Sequence, residues 1–232
     1  MLARLRVAFV VAFLIAAAQL LAAPAWAAPS FTTKDEFKCQ IGVSTKMTTF
    51  IKRKGVCVQR CLNEKRATAG PYTDCFAPYG GVTASCLLDP VLGVEARTSH
   101  AIGTKCSADC AECFALHQIS CVDGQPALGN VSGILDLLGD IIYCTEQAGG
   151  TPSKTEAKCE DVVAKVNAKM IEARIECYQA CFKKYFNDML DWENCQPSFG
   201  PLDPALTACI QRVEEKAVYK INVACAANGG IP

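Results

Sequence analysis

The chain predicts an all-α, disulfide-braced exported protein, and three observations carry that reading. The amino terminus has the layout of a secretory leader, sixteen cysteines follow it, and the cysteine pattern of the first half recurs in the second within segments of helical period.

The leader, MLARLRVAFVVAFLIAAAQLLAAPAWAAPS, opens with Arg4 and Arg6, continues in an apolar run from Val7 to about Ala23, and ends in the small-residue site Ala25-Trp26-Ala27. That order is the one a cleaved signal peptide has. A membrane anchor fits less well: the seventeen-residue run is near the lower limit of the ~20 residues a span needs, but the cleavage-site alanines and the lack of a positive stop-transfer flank favour removal. Cleavage after Ala27 leaves 205 residues with a formal charge of minus two and no second apolar run of that length. Neither a nucleic-acid partner nor an integral membrane segment is therefore expected. All sixteen cysteines stay in the mature part. An even count in an oxidising compartment argues for up to eight disulfides and for a secreted, extracellular or periplasmic location. A chain of this size can bury ~70% of its unfolded surface without bridges, so the bridges point to resistance against proteases, acid or heat.

The cysteines form a repeated frame. Cys39, Cys57, Cys61 and Cys75 recur as Cys159, Cys177, Cys181 and Cys195, each shifted by 120 residues. TKDEFKC at 33–39 aligns with SKTEAKC at 153–159, Val43 with Val163, Ile51 with Ile171, Gln59 with Gln179 and Gly80 with Gly200. Two copies of one module follow. The chain then divides into a signal peptide (1–27), a first Cys-rich helical module (28–122), a central loop, short helix and linker (123–152), and a second Cys-rich helical module (153–232).

Each module opens on a capping box, Thr33-x-x-Glu36 and Ser153-x-x-Glu156, in which hydroxyl and carboxylate satisfy free backbone N–H groups reciprocally. Cys39, Val43, Met47, Phe50, Cys57 and Cys61 then share one stripe, as do Cys159, Val163, Val166, Met170, Ala173, Cys177 and Cys181. A second helix is expected at Asp89-Pro90 and at Asp203-Pro204, since aspartate caps open N–H groups and proline at the first position gives up a donor that had no partner. Leu206, Ile210, Val213, Ala217, Ile221 and Ala224 supply the apolar stripe of the latter.

Helix lengths suggest the pairing. The first helix of the second module spans about 27 Å from Cys159 to Cys177, and the second about 24 Å from Cys209 to Cys225, at 1.5 Å per residue. Laid antiparallel, they bring Cys159 to Cys225 and Cys177 to Cys209, leaving Cys181 for Cys195. The same argument pairs Cys39 with Cys106, which could exchange roles with Cys110 one helical turn away, Cys57 with Cys86 and Cys61 with Cys75. Cys86 precedes its Asp-Pro step whereas Cys209 follows one, so these two are not strict equivalents. Saposins share such a first-to-last nesting, with different cysteine spacings.

Four cysteines remain for the centre. DGQPALGNVSG, 123–133, reads as a loop, and Asn130 heads an N-glycosylation sequon in it. ILDLLGDIIYC, 134–144, reads as a helix with Ile134, Leu135, Leu138, Ile141, Ile142 and Cys144 on its apolar face. Folded back, it would pair Cys110 with Cys144 and Cys113 with Cys121. Asp136 and Asp140 would repel anionic lipid, so a core or interface role is preferred to membrane binding.

CSADCAECFALH, 106–117, is the stretch that most resembles an active centre. Its C-x3-C-x2-C spacing suits an iron–sulfur cluster, but the expected compartment is oxidising and Glu112 stands where such sites carry an aromatic residue. Cys106, Cys110, Cys113 and His117 span about 16 Å on a helix, too far to share one zinc ion. Phe114 excludes the haem motif C-x-x-C-H, and the βαβ context of a redox C-x-x-C is missing. His100 and His117 lie in predicted helices, GNVSG misplaces its serine for a nucleophile elbow, and the acid pairs Asp136/Asp140 and Glu214/Glu215 read as solvated. No catalytic, metal or cofactor site is predicted. The expected function is non-enzymatic: a helical binding or structural protein whose partner is another protein or an apolar ligand. The alternatives are a carrier of an apolar ligand or lipid between the hairpins, a thiol redox protein, and a secreted effector or inhibitor.

Overall fold

The computed structural model describes residues 34–104, 135–136, 138–139, 141–187, 192–196 and 201–227. The leader, Thr33, Cys106, Cys110, Cys113, Cys121, His117, Asn130 and Asp140 lie outside them. Among the described residues all regular structure is helical, and no helix is long and apolar enough to cross a membrane.

Two long helices form the frame: α1, Lys34–Thr68, and α5, Lys154–Asn187. α5 opens on its capping box. The Ser153 Oγ accepts from the Glu156 N–H at 3.2 Å and the Glu156 carboxylate accepts from the Ser153 N–H at 3.2 Å. α1 closes where Ala69 takes the left-handed conformation (φ 51°), which lets the Gly70 N–H reach the Lys65 carbonyl at 3.1 Å. The helices pack antiparallel. Phe37 stacks on Phe186 at 4.2 Å, Gln179 donates to Ser44 Oγ at 2.6 Å, Lys52 pairs with Glu172 at 2.5 Å, and Arg66 reaches Glu160 at 3.2 Å. Their crossing point falls at Ile51 and Ile171, positions 120 apart in the sequence.

Each long helix carries its own second layer. α6, Pro204–Ala227, runs along α5. Val163, Val166 and Met170 pack against Ala217 and Ile221, and Cys177 and Cys181 against Leu206 and Ile210. On α1 the layer is split into α2, Gly81–Leu88, and α3, Val94–Gly103. Phe50, Leu87 and Ile102 meet there fully buried, each contributing about 1.5–3 kcal/mol.

This split corrects the expectation that Asp89-Pro90 opens one continuous helix. Asp89 ends α2 instead, and its Oδ1 accepts from the N–H groups of Val91 and Leu92 at 2.9 and 2.7 Å, closing a turn before Val94. Gly93 permits the turn, because a Cβ there would run into the carbonyl oxygens of Asp89 and Leu87. In the second half Asp203 does cap a helix, accepting from Ala205 and Leu206 at 2.8 and 3.1 Å.

Five disulfides join described residues: Cys57–Cys86, Cys61–Cys75, Cys159–Cys225, Cys177–Cys209 and Cys181–Cys195. These are five of the pairs set out from helix lengths. Cys86 reaches Cys57 from α2, ahead of the Asp-Pro turn, while Cys209 reaches Cys177 from within α6. Cys39 is also disulfide-bonded, and its expected partner Cys106 lies outside the described residues, as does the pair Cys113 and Cys121.

The central segment is helical at every described position from 135 to 142, followed by α4, Cys144–Gln147. Leu138 is buried with Leu135 packed beside it, and Ile142 packs on the cluster of Cys61, Leu62 and Tyr143, as periodicity expects. Two assignments are corrected. Cys144 carries a free, exposed thiol, so the Cys110–Cys144 bridge is not made, whereas Tyr143 is buried in its place. The turn at Tyr143 rotates the helical face by one position. The linker expected to begin at Glu146 begins after Gln147, because Glu146 is drawn into the core by a charge partner described below.

Candidate functional site

The long helices do not close completely on each other. On α1 the residues Ile51, Lys54, Gly55 and Val58, and on α5 the residues Ala164, Asn167, Ala168 and Ile171, each follow the i, i+3, i+4, i+7 spacing of a single stripe. The central segment covers the gap with Leu135, Leu138, Gly139 and Ile142, and the Cys75–Tyr79 loop walls one end. What remains is a cavity of about 80 Å³, within about 650 Å³ of atom-free space when the solvent at its mouth is included. Small residues create it: a Cβ placed at Gly55 or Gly139 would meet nothing within 4 Å.

Its lining is aliphatic and aromatic apart from two polar stations. At one, Lys54 is 2% exposed and pairs with Asp136 at 2.5 Å, while the Tyr79 hydroxyl donates to the same carboxylate and the Tyr79 ring lies 5.1 Å from the ammonium. Burial lowers the Lys54 pKa, and the hydrogen bond and charge of Asp136 oppose that shift. Asp136 is therefore not the solvated acid that helix statistics suggested. It neutralises a buried cation. At the other station Asn167, 4% exposed, leaves its Nδ2 buried without a hydrogen-bond partner.

Beside the cavity, Tyr143 leads into a charge cluster at the junction of α1, α4 and α5. Arg66 donates to Glu146 Oε1 at 2.6 and 3.0 Å, to Asp161 at 2.9 Å and to Glu160 at 3.2 Å, and sits 5.8 Å from the Tyr143 ring. Burial opposes the guanidinium charge, but hydrogen bonds to Asp161 and Glu146 outweigh it and raise the Arg66 pKa. One cation among three acids leaves excess negative charge. Burial, then the charge of Glu146, pushes the Glu160 carboxyl up to about 8. Burial and Asp161 likewise raise the Tyr143 phenol.

Of the remaining residues considered for chemistry, His100 is exposed on α3, Glu214 pairs with Arg174 at 2.5 Å, and Glu215 is exposed. Among the described residues no group of His, Cys, Asp or Glu is arranged to hold a metal ion. Periodicity could not have found the cavity, since Lys54 and Asn167 look like ordinary polar positions on long helices. A lysine and an asparagine among Ile51, Val58, Ala164, Ala168 and Ile171 were the only signal. Comparison with known protein families, characterised proteins and solved structures finds no match to this chain.

Proposed function

We propose that this chain is an exported, non-enzymatic binding protein made of two homologous disulfide-braced helical modules, holding a small apolar ligand between them. The observation that carries the reading is the cavity at the crossing of α1 and α5, lined from both halves and covered by the central segment. Pockets that bind small molecules are concave and mostly apolar with a few placed polar groups, and this one has that composition. Its volume, about 80 Å³, suits a compact molecule or the tip of a chain rather than a whole lipid.

The leader and five disulfides fit export into an oxidising space. The 120-residue recurrence of the cysteine frame supports two copies of one module, and the two 14-residue disulfide loops, Cys61–Cys75 and Cys181–Cys195, add to it. The thiol redox alternative rests on one exposed free thiol, Cys144, and has less support because the described residues supply no second free cysteine to complete a dithiol pair. A second reading, recognition of another protein, is favoured by Leu88, Val91 and Leu92, exposed together around the Asp89 turn.

Calorimetric titration of the purified protein with a single-ring apolar compound, benzene, tests the proposal. Saturable one-to-one uptake, abolished by Ala168→Phe with the helical circular dichroism retained, is the expected result. Uptake that fails to saturate, or that Ala168→Phe leaves unchanged, would count against a ligand in this cavity.

A further inference from the structure

The proposed cavity also carries a statement about ligand chemistry, which rests on the binding reading above. Four side-chain atoms are buried without a partner among the described residues: Tyr72 Oη, Thr83 Oγ1, Glu146 Oε2 and Asn167 Nδ2. Only Asn167 lines the cavity. It interrupts an otherwise small and aliphatic stripe, Ala164, Ala168 and Ile171, on the wall that α5 turns toward α1. An amide N–H out of reach of water costs free energy until an acceptor meets it, and because Nδ2 is closed to water-sized groups, a turn of the Asn167 amide is what presents it to a molecule in the cavity that brings the acceptor.

The other polar station makes no such offer. Lys54, Asp136 and Tyr79 satisfy one another, and among the described residues of the lining Lys54 and Asp136 are the charged ones and neutralise each other. A charged ligand would bring an unmatched ion into an apolar space. We infer that the cavity takes a small neutral molecule with an apolar body and one hydrogen-bond acceptor, a ketone, ester or lactone carbonyl, anchored by the side-chain amide of Asn167. A site built to hydrogen-bond a polar group discriminates against the analogue lacking it more sharply than a purely apolar pocket can.

Cyclohexanone and methylenecyclohexane have nearly the same shape and differ in the presence of the carbonyl oxygen. Their dissociation constants for the full-length protein are measured by heteronuclear NMR titration, which also follows the Asn167 side-chain amide signals. The wild-type protein is expected to bind the ketone about tenfold more tightly, the equivalent of ~1.4 kcal/mol, with the Asn167 amide protons shifting on ketone addition. Asn167→Leu is expected to bind both equally, and Asn167→Met provides the same comparison should the leucine variant fail to fold. Equal wild-type affinities overturn the carbonyl anchor and leave the apolar cavity standing. Discrimination that survives in Asn167→Leu or Asn167→Met also overturns it, by placing the acceptor elsewhere. Binding of neither compound overturns both this inference and the binding reading beneath it.

Discussion

The two halves of the molecule each open on a long helix with the same cysteine spacing but complete it differently. In the second half α6 is continuous for 24 residues. Its cap Asp203 is buried, and the carboxylate also receives Lys184 at 3.0 Å and Tyr185 at 2.9 Å. In the first half the equivalent layer breaks into α2 and α3, and Asp89 holds an exposed turn with its neighbours' backbone alone. The contrast teaches that the disulfides and the apolar stripe of the long helix specify each half, while the partner helix is free to bend. What a given Asp-Pro step does depends on whether tertiary partners reach its carboxylate.

Disulfide removal gives the largest test. Replacing Cys159 and Cys225 by serine opens a loop with a separation of 66 residues and is expected to cost about 4 kcal/mol in urea unfolding. Opening Cys61–Cys75 or Cys181–Cys195 should cost about 3 kcal/mol on the chain-entropy account. Since both of these loops have a separation of 14, a difference between the latter two would measure packing rather than chain entropy, and so would break the equivalence of the halves.

The junction comes next. Arg66→Met strands Glu146, Glu160 and Asp161 around a lost cation, and thermal or urea denaturation should report a loss of about 3 kcal/mol. The same place has a characteristic pH dependence. The Glu160 carboxyl is raised from 4.5 to about 8 in the fold, so its contribution is complete below about pH 4.5 and is lost as pH rises through about 8. Glu160→Gln should flatten the stability profile across that window, and an unchanged slope would place the proton elsewhere.

Asp203 has the opposite sign. The Lys184 hydrogen bond, aided by Tyr185 and the backbone N–H groups of Leu206 and Ala205 and opposed by burial, lowers its carboxyl from 3.8 to about 2. Its contribution is therefore present above pH 3.8 and lost as the pH falls through about 2. Asp203→Ala should cost about 1–2 kcal/mol, whereas Asp89→Ala should loosen only the turn, seen as faster amide exchange at Val91 and Leu92. The smallest effect is expected at Gly55, where a Cβ meets nothing. Gly55→Ala should raise stability by about 0.5–1 kcal/mol through helix propensity, and a loss would show that the cavity needs the glycine.

Much of the fold was legible because its signals are local. Ser153 and Glu156 are three residues apart and form the capping box that their spacing announces. The buried stripe from Cys39 through Val43 and Met47 to Phe50 follows the period of 3.6. Pairing was legible where two helices of known rise bring distant cysteines level, as for Cys159 and Cys225. The errors arose where a local signal had two outcomes. Asp-Pro opens a helix or holds a turn, and the second applied at Asp89, where Gly93 allows the backbone to fold back. Cys144 and Tyr143 are adjacent, and which of them faces inward depends on one turn at the end of a short helix.

The candidate site was hidden for a different reason. Arg66 and Glu146 are 80 residues apart, Lys54 meets Asp136 from a separate element, and Asn167 lines a space whose other walls no periodicity connects to it. From the chain alone one reads helical class, the stripes that become core, and most of the covalent frame, because helix period and rise are properties of neighbouring residues. The register of α1 against α5, the burial of Lys54 and Glu160, and the space between the halves belong to tertiary structure. They arise only when side chains distant in sequence compete for the same volume and the same charge partners.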